Sequence, residues 1–579
     1  MRVISDRLAR QYPEFDQGVS ADVVPLHAFL VQNVRQSLLV LMAAVGLVLL
    51  IACANVANLL LARAVGRQRE VAIRSALGAA RSRIVIELLT ESLVVAIAGG
   101  AIGLLVAVWS APLLAALTAA NAPSSGRIAV DGTVLLFTLA VAVVTGVVFG
   151  LAPALQTTRV DVVSAINEGG RGRTAGAGHH RLRRLLVVAE IAIATMLVVG
   201  AGLLTKSLMR LQDVSPGFDA NGLLLGETPL SPSVYNTSAA RNTFVDRLLT
   251  RVRALPGVRS ADVSAAPPFS GAGGVLHFNI EGRPPKGPEE FVLSGYRAVS
   301  AGYFQTMRVP LVAGRLFAET DRDGHEPVVI VNATFVRRFF PSDSPLIHRV
   351  QIGAIPNDES PLLRVVGVVG DTRQAFESQP QPEMFVSYLQ SAPEVIGGMY
   401  RNISIVMRAE GDPASLSSSL RIALKDVDAN QPLVRVRTME QAMAESVAQP
   451  RLRTVLLALF SGVALVLALI GVYGVMAYAV SERTHEIGVR LALGASATNV
   501  RSLVLAEVTR LAIPGVLLGL LGALAASRAL RTLLFGVSTT DPATFAVAAV
   551  ALAAAALLAA EGPIRRATGV DPMIVLRTQ

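Results

Sequence analysis

Glu70-Val-Ala-Ile-Arg74-Ser-Ala-Leu-Gly78-Ala, near one end of the chain, and Glu486-Ile-Gly-Val-Arg490-Leu-Ala-Leu-Gly494-Ala, near the other, are one pattern written twice, 416 residues apart. The same offset pairs Arg35 with Arg451, Glu91 with Glu507, and Gly99 and Gly103 with Gly515 and Gly519. Each block follows a long charge-free run, so the repeat sits at the end of a membrane span. Self-similarity at a fixed offset is settled before any local feature, and here it predicts a duplicated membrane domain.

Composition points the same way. Of 579 residues 52% are hydrophobic and only 16% charged, with a mean hydropathy of +0.53, the balance of a membrane protein rather than a soluble one. A hydrocarbon core of about 30 Å needs roughly 20 apolar residues per helix. Residues 36 to 62, 92 to 126, 132 to 158, 454 to 481 and 542 to 560 hold no Asp, Glu, Lys or Arg. Two further runs carry charge only near their ends: 185 to 208, with Glu190 and Lys206, and 508 to 527, with Arg510. Seven spans are therefore expected.

Residues 209 to 453 differ in character. They hold most of the prolines, short β-branched runs at Val328 to Val331, Val365 to Val369 and Ile403 to Val406, and helical patterns at 239 to 254 and 414 to 427, the mixture of a water-exposed α+β domain. Arginines orient the chain. Loops 63 to 84, 156 to 184 and 481 to 502 and the C-terminal tail are arginine-rich, whereas 119 to 131 holds only Arg127. The first four are cytoplasmic by the positive-inside rule. Residues 1 to 36 and 209 to 453 then lie outside. Arg528 and Arg531 go against the rule.

The net charge of +10 comes largely from those loops and lacks interleaved aromatics, so nucleic acid is not an expected partner. The single cysteine, Cys53, falls inside the first span and has no internal disulfide partner.

In each repeat block Glu and Arg stand at i, i+4, as Glu70 and Arg74 and as Glu486 and Arg490, the favourable order for a helical ion pair. Such a pair contributes roughly 0.3 kcal/mol, too little to account for its occurring twice. Gly78 and Gly494 suit the left-handed position after a helix end. A second short helix, capped in the later copy by Ser496, leads back into the membrane. The product is a cytoplasmic elbow shaped for docking. The plainer reading is an interfacial loop whose arginines only set topology.

Leu-Leu-Leu-Ala-Arg63 running into Arg-Gln-Arg-Glu70-Val-Ala-Ile-Arg74-Ser-Ala-Leu-Gly78-Ala, and Ser481-Glu-Arg-Thr-His-Glu486-Ile-Gly-Val-Arg490-Leu-Ala-Leu-Gly494-Ala, resemble the hallmark of ABC transporter permeases of the MacB/FtsX type. With Leu185-Leu-Val-Val-Ala-Glu190 opening a second half and Thr568-Gly-Val-Asp571-Pro572 closing it, the layout is similar to the acidobacterial-type duplicated orphan permeases. The resemblance implies a polytopic α-helical protein of the bacterial inner membrane with an internally duplicated FtsX-like permease domain and an extracytoplasmic MacB-like α+β domain. It also implies a separate ABC ATPase that carries the ATP and grips the elbow. Glu70, Arg74, Gly78, Arg81, Glu486, Arg490 and Gly494 are the expected coupling residues, and Gly99, Gly103, Gly515 and Gly519 are expected to pack helices closely.

On this plan 1 to 36 is the end of a first outer domain, N-terminally truncated, with Arg7-Leu-Ala-Arg10 in its last helix. Then follow a first permease domain (37 to 160), a cytoplasmic linker (161 to 184), a helix opening the second half (185 to 208), the outer domain (209 to 453) and a second permease domain (454 to 579). No catalytic, cofactor or metal site is expected. Gly200-Ala-Gly-Leu-Leu-Thr-Lys206-Ser207 lacks the glycine before the lysine that a phosphate loop needs. Val365-Val-Gly-Val-Val-Gly-Asp371 lacks dinucleotide spacing, His485-Glu486 lacks a second histidine, and His179-His180 stands without further ligands. Glu190, six residues past Arg184, either snorkels to the cytoplasmic interface or bonds a neighbouring helix; we place it at the interface.

The expected function is that of a permease subunit coupling a separate ATPase to movement of the outer domain, for export or mechanotransmission, with an extracytoplasmic protein or lipophilic substrate as possible partner. The alternative is a scaffold that regulates an extracytoplasmic partner such as a cell-wall hydrolase. The two separate on whether a substrate moves.

Overall fold

A computed structural model of the chain describes residues 2–11, 23–66, 81–118, 131–157, 176–271, 273–283, 285, 290–353, 361–390, 402–482, 486, 490 and 496–568. In chain order α1 (Arg2–Gln11), α2 (Leu26–Gly66), α3 (Arg81–Thr118), α4 (Gly132–Thr157) and α5 (Gly176–Gln212) precede a mixed region, and α11 (Ala448–Glu482), α12 (Ala497–Leu530) and α13 (Pro542–Thr568) follow it. The chain divides into two compact units: Leu30–Arg210 with Ala448–Gln579, and Met1–Phe29 with Leu211–Val447.

The first unit is helical. Among the described residues six helices are long and apolar enough to cross a bilayer: Arg35–Leu60 in α2, Val85–Pro112 in α3, Arg181–Gln212 in α5, α11, Thr498–Leu533 and α13. The other expected span is also helical, but the apolar stretch of α4, Gly132–Val148, is shorter than these six. With no water to bond stray backbone groups, only a helix satisfies every N–H and C=O inside its own segment. Leu49, Val95, Leu105 and Leu517 remain exposed, the lipid-facing pattern. The repeat is visible in the packing: α3 lies against α4, and its counterpart α12 lies against α13.

Three details differ from what the sequence predicts. The helix expected after the second elbow is not a separate short element, since α12 runs unbroken from Ala497 to Leu530 with Pro514 inside it. Ser496 occupies the N-cap position with extended backbone, yet its side chain makes no cap hydrogen bond. Glu190, placed above at the interface, is instead 1% exposed and accepts a 3.2 Å hydrogen bond from Asn58 Nδ2 on α2. The rotation of α5 decides this: Arg184 faces out to Glu507, at 2.6 Å, while Glu190 faces the helices packed on the other side.

The described residues of the second unit form eleven strands: β1 (Leu223–Pro229), β2 (Val258–Ser264), β3 (Gly274–Ile280), β4 (Val292–Val299), β5 (Leu311–Gly314), β6 (Val328–Asn332), β7 (Arg349–Ile352), β8 (Leu362–Val369), β9 (Glu383–Ser387), β10 (Asn402–Ala409) and β11 (Arg435–Thr438). Interspersed are α6 (Ser238–Arg253), α7 (Tyr303–Met307), α8 (Ala333–Phe339), α9 (Ser417–Val427) and α10 (Met439–Ser446). The order β11-β1-β10-β2, with α6 joining β1 to β2 and α9 joining β10 to β11, is a split βαβ arrangement. Strands β4, β3, β7, β8, β6 and β9 then form a circuit, closed by parallel pairing of β4 with β9. Closure removes sheet edges that would otherwise invite foreign strands.

Val329, Val331, Phe335 and Phe278 are buried in the core of this unit, and the Phe278 and Phe335 rings approach to 4.9 Å. Asn332 caps α8 by accepting from Phe335 N at 2.9 Å. Thr438 and Gln441 form a reciprocal capping box at the start of α10, which satisfies two otherwise orphaned donors. Arg297 and Glu383 form an almost fully buried ion pair at 2.9 Å, with Gln374 Nε2 also donating to the Glu383 carboxylate at 2.7 Å.

Candidate coupling site

Glu486 and Arg490 are both helical, and Arg490 Nη2 lies 2.5 Å from Glu486 Oε1, with both side chains about half exposed. An exposed pair of this kind adds only tenths of a kcal/mol, and it leaves both charges accessible. Glu70, Arg74, Gly78 and Gly494 lie outside the described residues. Arg81 is the first residue of α3.

The helix ends of this unit are laced together by charge. Arg184 at the start of α5 pairs with Glu507 on α12 at 2.6 Å, and Arg183 stacks over the Tyr478 ring of α11 at 4.1 Å. Arg501 of α12 reaches Glu561 of α13 at 3.5 Å. The sequence marked Glu507 only as the repeat partner of Glu91 and Arg184 only as a topology signal. Nothing local reveals their pairing across 323 residues.

Gly515 and Gly519 bring α12 onto α5. A β-carbon at Gly515 would lie 2.8 Å from Ile191 Cβ, and one at Gly519 would lie 2.5 Å from Thr195 Cβ and 2.6 Å from the Ala192 carbonyl oxygen. Their repeat counterparts Gly99 and Gly103 have no atom within 4 Å of the corresponding point. One glycine pair is thus used for close approach and the other faces open space among the described residues.

The far ends of α5 and α12 are fastened too. Lys206 Nζ sits 2.8 Å from both carboxylate oxygens of Asp541, and Asp541 also accepts from the Thr544 backbone N–H at 3.0 Å, capping α13. The Lys206 ammonium first, and then the Thr544 hydroxyl and N–H, hold the Asp541 carboxyl down at about 2. Phe535 N donates to Ser207 Oγ at 2.7 Å, and the Arg210 guanidinium donates to the Gly536 carbonyl. Arg453 near the start of α11 donates to Leu533 O at 3.2 Å. The segment from Arg531 to Asp541 thereby holds α5, through which the chain passes into 213 onward, and α11, through which it returns. At 34 residues, α12 spans about 51 Å from the elbow to this outer clasp.

A duplicated helical membrane domain with an extracytoplasmic α+β domain between its copies defines a polytopic permease. Residues 42–162 and 458–572 match the family described as FtsX-like permease C-terminal, and residues 185–423 match the MacB-like periplasmic core domain. The chain belongs to the MacB/FtsX type of ABC transporter permease, a multi-pass protein of the inner membrane. It is 26% identical over 346 residues to the probable syringafactin export ATP-binding/permease protein SyfD of Pseudomonas syringae pv. tomato, covering 59% of this chain and 48% of the relative. It is 22% identical over 346 residues to the uncharacterized ABC transporter permease YknZ of Bacillus subtilis, covering 59% of this chain and 81% of that one. The crystal structure of the periplasmic region of MacB from Actinobacillus actinomycetemcomitans matches 40% of this chain and 95% of its own, at 14% identity and a TM-score of 0.26. The chain spans about half the length of the first of these relatives.

Proposed function

We propose that this chain is the membrane subunit of an ABC-type exporter whose ATPase is a separate polypeptide docking on residues 66 to 91 and 482 to 507. ATP-driven displacement of the elbow passes along α12 and α5 to the outer clasp and so to the extracytoplasmic domain. The single observation that carries this reading is mechanical. The helix that starts at the elbow is seated on α5 by Gly515 and Gly519, and its outer loop is bonded to the same helix by Lys206–Asp541. Export is the direction favoured, because SyfD's name specifies export.

The test is reconstitution of the chain with its candidate ATPase. Exchanging the charges as Glu486→Arg/Arg490→Glu, with the equivalent exchange at Glu70 and Arg74, is expected to abolish stimulation of ATP hydrolysis and co-purification while the permease itself stays folded. Normal stimulation and co-purification by the exchanged protein would remove the proposed docking site.

A further inference from the structure

Glu190 is the one acidic side chain in the 185 to 208 run, and coupling gives it no task. It lies roughly 9 Å along α5 from Arg184, among Val187, Ile191 and Ala194, all buried. Three helices meet there. Asn58 Nδ2 of α2 donates to Glu190 Oε1 at 3.2 Å, and Asn55 Nδ2 of α2 donates to the Leu467 carbonyl of α11 at 2.8 Å. Gly471 of α11 has no side chain, and a β-carbon there would collide with Glu190 Oε2 and lie 2.9 Å from Asn55 Oδ1.

Two oxygens of this cluster, Glu190 Oε2 and Asn58 Oδ1, are buried without a hydrogen-bond partner among the described residues. Among the described residues no countercharge compensates. The nearest cation on α5 facing the same way is Arg183, two helical turns away and stacked on Tyr478 of α11, while Arg184 is taken by Glu507 of α12. The facing residues of α2 are the neutral Asn55 and Asn58, and α11 offers glycine and a carbonyl. A carboxylate holding a single neutral hydrogen bond inside a span is costly. Adding a proton removes that charge and keeps the acceptor that Asn58 uses.

The cluster also marks where the two halves meet. At the 416-residue offset Asn55 is equivalent to Gly471 and Asn58 to Gly474. One copy of the repeat supplies amides at the positions where the other supplies glycine. The missing side chain at Gly471 makes the room that Glu190 fills.

We infer that Glu190 is held as the neutral carboxylic acid and is the positioning residue that pegs α2 of the first repeat to α5 and α11 of the second. The inference stands independently of the ATPase docking site. It predicts that Gln, which presents one acceptor and one donor in the same shape, replaces Glu190, whereas residues unable to reach Asn58 do not.

The full chain in nanodiscs at pH 8, where exposed carboxyls are ionised, provides the test. Infrared spectra are expected to show a deuterium-sensitive carboxylic-acid carbonyl band that is lost in Glu190→Gln. The melting temperature of Glu190→Gln is expected to match the parent, and those of Glu190→Ala and Gly471→Val to fall together. Absence of the band at pH 8, a Gln variant as damaged as the Ala variant, or an Ala variant as stable as the parent would each overturn the inference.

Discussion

Gly519→Ala and its repeat counterpart Gly103→Ala are the same change at equivalent positions in opposite surroundings. At 519 the new methyl carbon would stand 2.5 Å from Thr195 Cβ and 2.6 Å from the Ala192 carbonyl oxygen. Carbon pairs settle at about 3.5–4.0 Å, so α12 and α5 must part by roughly 1 Å, because both obstructing atoms are fixed to the α5 backbone. Overpacking of this kind costs about 1–3 kcal/mol, against which alanine regains about 1 kcal/mol of helix propensity. The expected net loss is about 0–2 kcal/mol. At 103 nothing lies within 4 Å, so only the propensity gain remains and the protein is unchanged or slightly more stable. Equilibrium unfolding in mixed micelles, with both variants and the parent measured together, reads the difference. Equal midpoints for the two variants would show that α12 is not seated on α5 through these glycines.

Lys206→Met is expected to loosen the outer clasp and reduce coupling of ATP hydrolysis to transport without weakening ATPase binding, which separate co-purification and transport assays distinguish. Because the Asp541 carboxyl sits at about 2 in the folded chain, below its ordinary value near 3.8, its contribution is fully present above that ordinary value and is lost as pH falls through about 2. The melting difference between Lys206→Met and the parent is therefore expected to hold constant from pH 8 to pH 5 and to shrink only in stronger acid. Arg297→Met strands Glu383 in the outer domain with Gln374 and Thr372 as its remaining side-chain donors among the described residues, and removing one member of a buried pair costs about 3–5 kcal/mol. The Arg297→Met/Glu383→Met double variant should recover most of that in thermal unfolding of the full chain, and failure to recover would show that the pair does more than satisfy itself.

The membrane half was legible because lipid imposes a simple rule on sequence. Charge-free runs of sufficient length became α2, α3, α11 and α13, and the 416-residue repeat foretold that α3 and α12 are counterparts. In the outer domain the β-branched runs at 328 and 365 became β6 and β8, since such residues suit a pleated, half-buried surface. Strands β1 (LLLGETP) and β11 (RVRT) went unread. One contains Gly and Pro and the other alternates with arginine, so neither announces itself without its partners. The β4–β9 closure and the Lys206–Asp541 pair, 335 residues apart, depend on tertiary placement that no local pattern encodes. Glu190 was misplaced for a related reason: distance along the helix from Arg184 fixes its depth, but only the packing of α2 and α11 fixes which way it faces.

On the proposed function, an ATP-hydrolysing subunit grips Glu486 and Arg490 from the cytoplasm. A photo-crosslinking residue in place of Glu486, activated in inverted inner-membrane vesicles, tests it most directly. One dominant adduct is expected, with a nucleotide-binding subunit, its yield changing on adding ATP. Crosslinks to lipid alone, or an adduct obtained only when the reagent is accessible from the outer face, would contradict it.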